Sequence, residues 1–106
     1  MAESVAELSN WKFNEFIKKG NVLIDFYADW CMPCVMMGPI LEDISETFKK
    51  NLKVGKVNVE DGHEIAQKFN VSSIPNFVLL KDGKFVTQFI GSMSQEDFEE
   101  KLRKFL

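Results

Sequence analysis

Both cysteines of this 106-residue chain lie within five residues, Trp30-Cys31-Met32-Pro33-Cys34. An apolar run over residues 22–28 leads into them, and an apolar segment of helical period over residues 35–48 leads out. That layout predicts a buried strand delivering a dithiol to the N-terminus of a helix. Few other arrangements satisfy both flanks at once.

The position has chemical consequences. Only a thiolate attacks a disulfide or binds a metal. A helix N-terminus aims unpaired N–H groups and about half a positive charge at whatever sits there. A thiolate is stabilised in that place. Two intervening residues let the second sulfur reach back to the first. Pro33 suits the first helical turn, where its missing N–H costs nothing. Cys31 is expected to be the exposed nucleophile, and Cys34, one turn further in, the buried resolving thiol.

Two other uses of a Cys-x-x-Cys pair compete. A zinc site needs about four N/S ligands, whereas this chain offers Cys31, Cys34 and His63, the last in a different predicted element. No single-chain metal site is expected, although paired dithiols from two chains could bridge an ion. A purely structural disulfide closing so short a loop would restrain little of the unfolded chain.

Length predicts one domain, residues 1–106, large enough for a core without staples. Hydrophobic residues make up 45% and charged residues 27%, so an ordinary globular fold is expected. The net charge is −3, and Arg103 is the one arginine among 13 basic residues. A nucleic-acid partner is therefore not expected. No apolar run approaches the ~18 residues of a membrane span. Met1-Ala2-Glu3-Ser4 has neither a basic nor an apolar leader character, so no signal peptide is expected. A cytoplasmic protein is the expectation, and in a reducing compartment two cysteines suggest a working dithiol.

The elements follow from period and punctuation. Residues 5–8 form a short candidate strand. Ser9 or Asn10 can cap a first helix with Phe13, Phe16 and Ile17 on one face, which Gly20 stops. Trp11 is expected in the core or at the edge of that helix. Residues 22–28 suit a strand buried on both faces, and Asp25 is their single charge. In the second helix Met37, Ile40, Leu41, Ile44 and Phe48 recur at helical spacing, and Pro39 should kink it. Residues 52–59 alternate as a third strand carrying Lys56. Asp61-x-x-Glu64 resembles a capping box opening a short helix that Asn70 ends. His63 is expected on its surface. Asp82-Gly83 between two apolar runs signals a hairpin. Ser94-x-x-Asp97 opens a last helix with Phe98, Leu102, Phe105 and Leu106 on one face. The order is βαβαβαββα, an α/β fold whose mixed five-stranded central sheet is flanked by helices.

Taken together, Asp25-Phe26-Tyr27-Ala28-Asp29-Trp30-Cys31-x-Pro33-Cys34, Pro39, Lys56-Val57-Asn58-Val59, Ile74-Pro75, Lys81-Asp82-Gly83 and Gly91 resemble the thioredoxin family over nearly the whole chain. The resemblance implies the thioredoxin fold and a protein-disulfide reductase. Cys31 would attack the target disulfide and Cys34 would resolve the mixed disulfide. Asp25 would be the buried carboxylate exchanging a proton with Cys34, and desolvation in an apolar strand would raise its pKa accordingly. Lys56 would be its neighbouring cation, or else a solvated strand lysine. Ile74-Pro75 would be a cis-proline loop facing the dithiol, its backbone pairing with an extended substrate. Trp30, Met32, Pro33, Ile74, Pro75, Ile90, Gly91 and Ser92 would form a shallow apolar rim.

The chain departs from the family pattern at Met32, where glycine is usual, at Val35, where lysine is common, and at Ser73, where glycine is common. The implied function is reduction of protein disulfides by a monomer without a bound cofactor. No nucleotide-binding G-x-G-x-x-G occurs, so electrons would come from a separate reductase. The rivals are an oxidant, isomerase or glutaredoxin-like protein of the same fold, and a docking module without turnover.

Overall fold

The apolar run before the dithiol becomes the middle strand of a five-stranded sheet. A computed structural model describes residues 5–106. The chain order is β1 (Val5–Glu7), α1 (Asn10–Ile17), β2 (Asn21–Tyr27), α2 (Met32–Thr47), β3 (Lys53–Asn58), α3 (His63–Lys68), β4 (Asn76–Lys81), β5 (Lys84–Ile90) and α4 (Gln95–Arg103). This is the expected βαβαβαββα. The reading of residues 1–4 as lacking leader character lies outside the described residues.

In space the strands run β1-β3-β2-β4-β5. β3 pairs parallel with β1 and β2, whereas β4 is antiparallel to both β2 and β5. Helical crossovers join the parallel strands and a tight turn joins the antiparallel pair, as chain connectivity requires. β2 is central and buried on both faces, so its side chains divide between two cores. Leu23 joins Met37, Leu41, Ile44, Phe77, Phe98 and Leu102 on the face covered by α2 and α4. Val22, Ile24 and Phe26 join Phe13, Ile17 and Ile65 on the face covered by α1 and α3.

Local chemistry sets most boundaries. Asp82 (φ 50°) and Gly83 (φ 83°) both take the left-handed conformation that a two-residue hairpin needs. Asp82 also accepts a 2.7 Å hydrogen bond from the Gly20 N–H, tying the hairpin to the chain after α1. Asn70 at φ 56° follows α3 as expected. The Ser94 hydroxyl accepts from the Asp97 N–H at 3.1 Å and caps α4. Ser94→Ala should cost about 1 kcal/mol of stability. Urea unfolding at neutral pH measures it, and an unchanged midpoint would remove the cap from the argument.

Three local expectations are corrected. Trp11 is 79% exposed, because a helical step of about 100° per residue turns it away from Phe13 and Ile17. The Asp61 box does not form: α3 is capped by Gly62 without a side-chain hydrogen bond. A turn uses that segment instead, with Glu60 N–H donating to Asn58 Oδ1 and Gly62 N–H to the Asn58 carbonyl. α4 ends at Arg103, so Phe105 lies beyond it and is 45% exposed. α2 runs for 16 residues with Pro33 in its first turn and Pro39 inside it, as expected.

Candidate active site

The dithiol sits where β2 hands the chain to α2. The chain turns after Tyr27, and the Cys31 N–H donates to the Ala28 carbonyl at 3.2 Å. Cys31 is the N-cap of α2, with extended backbone (φ −90°, ψ 102°). Its Sγ accepts from the Cys34 N–H at 3.2 Å. A sulfur is thus doing what a serine or aspartate oxygen does at an ordinary cap, and the same donors favour its anionic form. Pro33 lies in the first helical turn, where no N–H is missed. Cys31 and Cys34 are joined as a disulfide, with Cα atoms 5.2 Å apart.

The expected contrast in exposure is absent. Cys31 and Cys34 are both 5% exposed. The physical reason is packing: Cys31 shares a small apolar cluster with Ala28 and Cys34, against which Tyr27, Val59 and Ile74 pack. What separates the two sulfurs is their surroundings. Cys31 holds the helix cap. Cys34 lines a pocket of about 330 Å³ with Asp25, Tyr27, Lys56 and Glu42.

Asp25 is 6% exposed, and its Oδ1 is a buried oxygen without a hydrogen-bond partner. Burial pushes its pKa up from 3.8 to about 7, while Lys56 pulls it down and Glu7 pushes it further up. Lys56 is the β3 residue in register with Asp25. Its ammonium pairs at 3.8 Å with Glu7, and its side chain is 34% exposed. It is therefore neither a buried partner of Asp25 nor a freely solvated lysine.

Most of the expected rim residues are exposed or half-buried, and Ile74 packs against the cysteine cluster. Trp30, Met32 and Ile90 are 69%, 68% and 63% exposed. Pro33 and Ser92 are exposed, and Ile74 and Gly91 half-buried. Pro75 departs from the rim reading and is buried. The Ile74–Pro75 peptide bond is cis. The Pro75 carbonyl accepts from Gly91 N–H at 2.9 Å, which joins the two rim loops. His63 is exposed at the start of α3. Among the described residues no group of three His, Cys, Asp or Glu could hold a metal ion, and no helix is long and apolar enough to cross a membrane.

Several neighbours escaped the sequence reading. Val35 and Met36 extend the apolar surface along α2, at 55% and 72% exposure. Helical period alone could have shown them pointing away from Met37 and Leu41. Glu60 accepts from Trp30 Nε1 at 2.8 Å. Glu7 and Tyr27 bond to each other beside Lys56. The one signal for Glu7 was a charge within an apolar strand.

Comparison with known proteins agrees with this geometry. The family model described as Thioredoxin matches residues 4–104. A thioredoxin of Chlamydia caviae is 46% identical over 87 residues, covering 82% of this chain and 84% of that one. A thioredoxin of Bacillus subtilis is 35% identical over 103 residues, covering 97% and 99%. A solved chain from work on the thiol resolving mechanism in yeast mitochondrial 1-Cys peroxiredoxin via glutathione/thioredoxin systems superposes with a TM-score of 0.86. It is 32% identical, and 96% of each chain is covered. With the dithiol at the α2 cap and the βαβαβαββα sheet, these matches make the chain a member of the thioredoxin family, a thiol–disulfide oxidoreductase that reduces protein disulfides.

Proposed function

We propose that Cys31 is the attacking sulfur and Cys34 the resolving one, with Asp25 as the proton acceptor of Cys34. In the first step the Cys31 thiolate forms a bond to one sulfur of a substrate disulfide. The substrate S–S bond breaks, and its other sulfur leaves as a thiolate. In the second step the Cys34 proton passes to Asp25, and the Cys34 sulfur attacks Cys31. The mixed disulfide breaks, the second substrate thiolate leaves, and the protein holds the Cys31–Cys34 disulfide. Two electrons have moved to the substrate. The observation that supports these roles is the cap: the Cys31 sulfur receives a backbone N–H at a helix N-terminus, whereas Cys34 and Asp25 line one pocket.

The substrate segment lies in extended form along Ile74 and Pro75. The exposed side chains of Trp30, Met32, Pro33, Ile90 and Ser92, with Gly91, form its apolar surroundings. Met32 adds a flexible thioether beside the nucleophile, which adapts to varied side chains. Lys56 tunes the proton affinity of Asp25. The protein works as a single domain and a monomer, in the cytoplasm, with no cofactor beyond its own cysteine couple. A thioredoxin reductase returns the electrons.

A redox titration of the Cys31–Cys34 couple against dithiothreitol and glutathione tests this function. A reducing couple that a reductase recharges for repeated turnover is the expected result. A strongly oxidising couple would make the chain an oxidant instead. Alkylation of the reduced protein at neutral pH should label Cys31 first, because its sulfur caps the helix, although both residues are equally covered. Peptide mapping identifies the labelled sulfur, and faster labelling of Cys34 would exchange the two roles.

A further inference from the structure

One row of side chains on the α2/α4 face of the sheet carries charge in three adjacent strands. Glu7 of β1 is in register with Lys56 of β3, and Lys56 with Asp25 of β2. β3 lies between the other two strands, so Lys56 stands between two carboxyl groups. It pairs with the outer one: Nζ is 3.8 Å from Glu7 Oε1. Glu7 is itself held, since the Tyr27 hydroxyl donates to its carboxylate, 2.7 Å from Oε1 and 3.0 Å from Oε2. The Lys56 ammonium also lies 5.5 Å from the Tyr27 ring centroid, within range of the attraction between a cation and an aromatic face. Glu7, Tyr27 and Lys56 form a closed group, each touching the other two. Asp25 is left with its Oδ1 unpartnered.

The placement matters because a cation within about 4–6 Å of a carboxylate keeps it ionised. A carboxylate held ionised accepts protons poorly. The groups facing Asp25 are Lys56 from β3, Glu7 from β1, Tyr27 on β2, Asp29 in the following turn, and Cys34 and Glu42 from α2. Its cross-strand neighbour on β4 is the apolar Phe77. Lys56 is the one cation in this described set. Burial raises the proton affinity of Asp25 most, and the position of this ammonium then adjusts how readily Asp25 takes a proton.

We propose that Glu7 is a positioning residue for the exchange reaction: together with Tyr27 it holds the Lys56 ammonium toward β1 and so leaves Asp25 able to take the proton of Cys34. The inference rests on the reading of Asp25 as that acceptor. The Glu7 side chain is 54% exposed, so Glu7→Gln is expected to fold.

The test is a carbon-13 NMR titration of the Asp25 carboxyl in the parent, Glu7→Gln, Lys56→Met and the double variant. The pH profile of mixed-disulfide resolution is recorded alongside. Glu7→Gln should lower the Asp25 midpoint by about 1 pH unit, as a released ammonium turns toward it, and shift the resolution profile the same way. With Lys56→Met in place, the same substitution should move the midpoint no more than about half as far. A Glu7→Gln midpoint that superimposes on the parent's overturns the proposal, even if unfolding shows lost stability, because that pattern belongs to a merely structural residue. Equal displacements in both backgrounds overturn it too, since Glu7 would then act without Lys56. Asp25→Asn separates the two levels. If it keeps the parent's resolution profile, the acceptor reading fails. If it moves the profile while Glu7→Gln does not, the positioning role alone fails.

Discussion

Cys34→Ser should stop turnover and leave Cys31 covalently joined to its substrate. The first step needs only the Cys31 sulfur, whose cap donor is the backbone N–H of residue 34, and a serine keeps that N–H. Attack on a protein disulfide therefore proceeds. The second step needs a nucleophilic sulfur one helical turn away. A serine hydroxyl supplies none, because its oxygen stays protonated at neutral pH whereas a thiol ionises near it. The mixed disulfide should accumulate to stoichiometry, visible as a mass increase equal to the substrate and reversed by dithiothreitol. Multiple-turnover reduction should fall to background. Cys31→Ser should form no adduct. If instead Cys31→Ser accumulates the adduct through Cys34, or Cys34→Ser turns over normally, the assignment of attacking and resolving sulfurs is wrong.

The parts of this site that a reader could find in the sequence are those encoded locally. The pair Cys31 and Cys34 shows itself by spacing, and the run through residues 22–28 by its lack of polar interruption. Asp82-Gly83 shows itself because two consecutive left-handed residues are costly for most side chains. What escaped depends on which strands become neighbours. The family resemblance already implied Lys56 beside Asp25, but the place of Glu7 in the same row depends on β1 lying next to β3. Element order along the chain does not state that order in space. The burial of Cys31 escaped for the same reason, because Val59 and Ile74 arrive from distant segments. Trp11 was misplaced by hydrophobicity alone, where its angle to Phe13 around α1 decides the matter. Asp61 matched a capping box, but the Asn58–Gly62 turn has its own hydrogen bonds and moves the helix start by one residue.

Asp25→Ala should make the protein more stable at pH 8 and slower at resolving mixed disulfides. The sign follows from proton binding. Asp25 has a folded pKa of about 7 against 3.8 for the ordinary group. Between those values the native state binds more protons than the unfolded state, so stability falls as pH rises through the window. Above about pH 7 the loss is complete and constant, on the order of 4 kcal/mol if the whole difference is realised. Removing the carboxylate removes that cost. It also removes a buried oxygen with no hydrogen-bond partner. Against this stands a small cavity beside Cys34. Lys56 is not stranded, because Glu7 already pairs with it. The net gain expected at pH 8 is about 2–3 kcal/mol, and it should be gone by pH 4, where Asp25 is protonated in the native state and nearly half protonated in the unfolded one. Urea unfolding at pH 4, 6 and 8 measures the trend. Single-turnover reduction of a protein disulfide measures the second half: attack by Cys31 should persist while release of the mixed disulfide slows, since the Cys34 proton has lost its acceptor. Stability given up at one buried group in exchange for reactivity is a familiar pattern at active sites. A variant that is less stable than the parent at pH 8 and resolves at the normal rate would make Asp25 a structural residue.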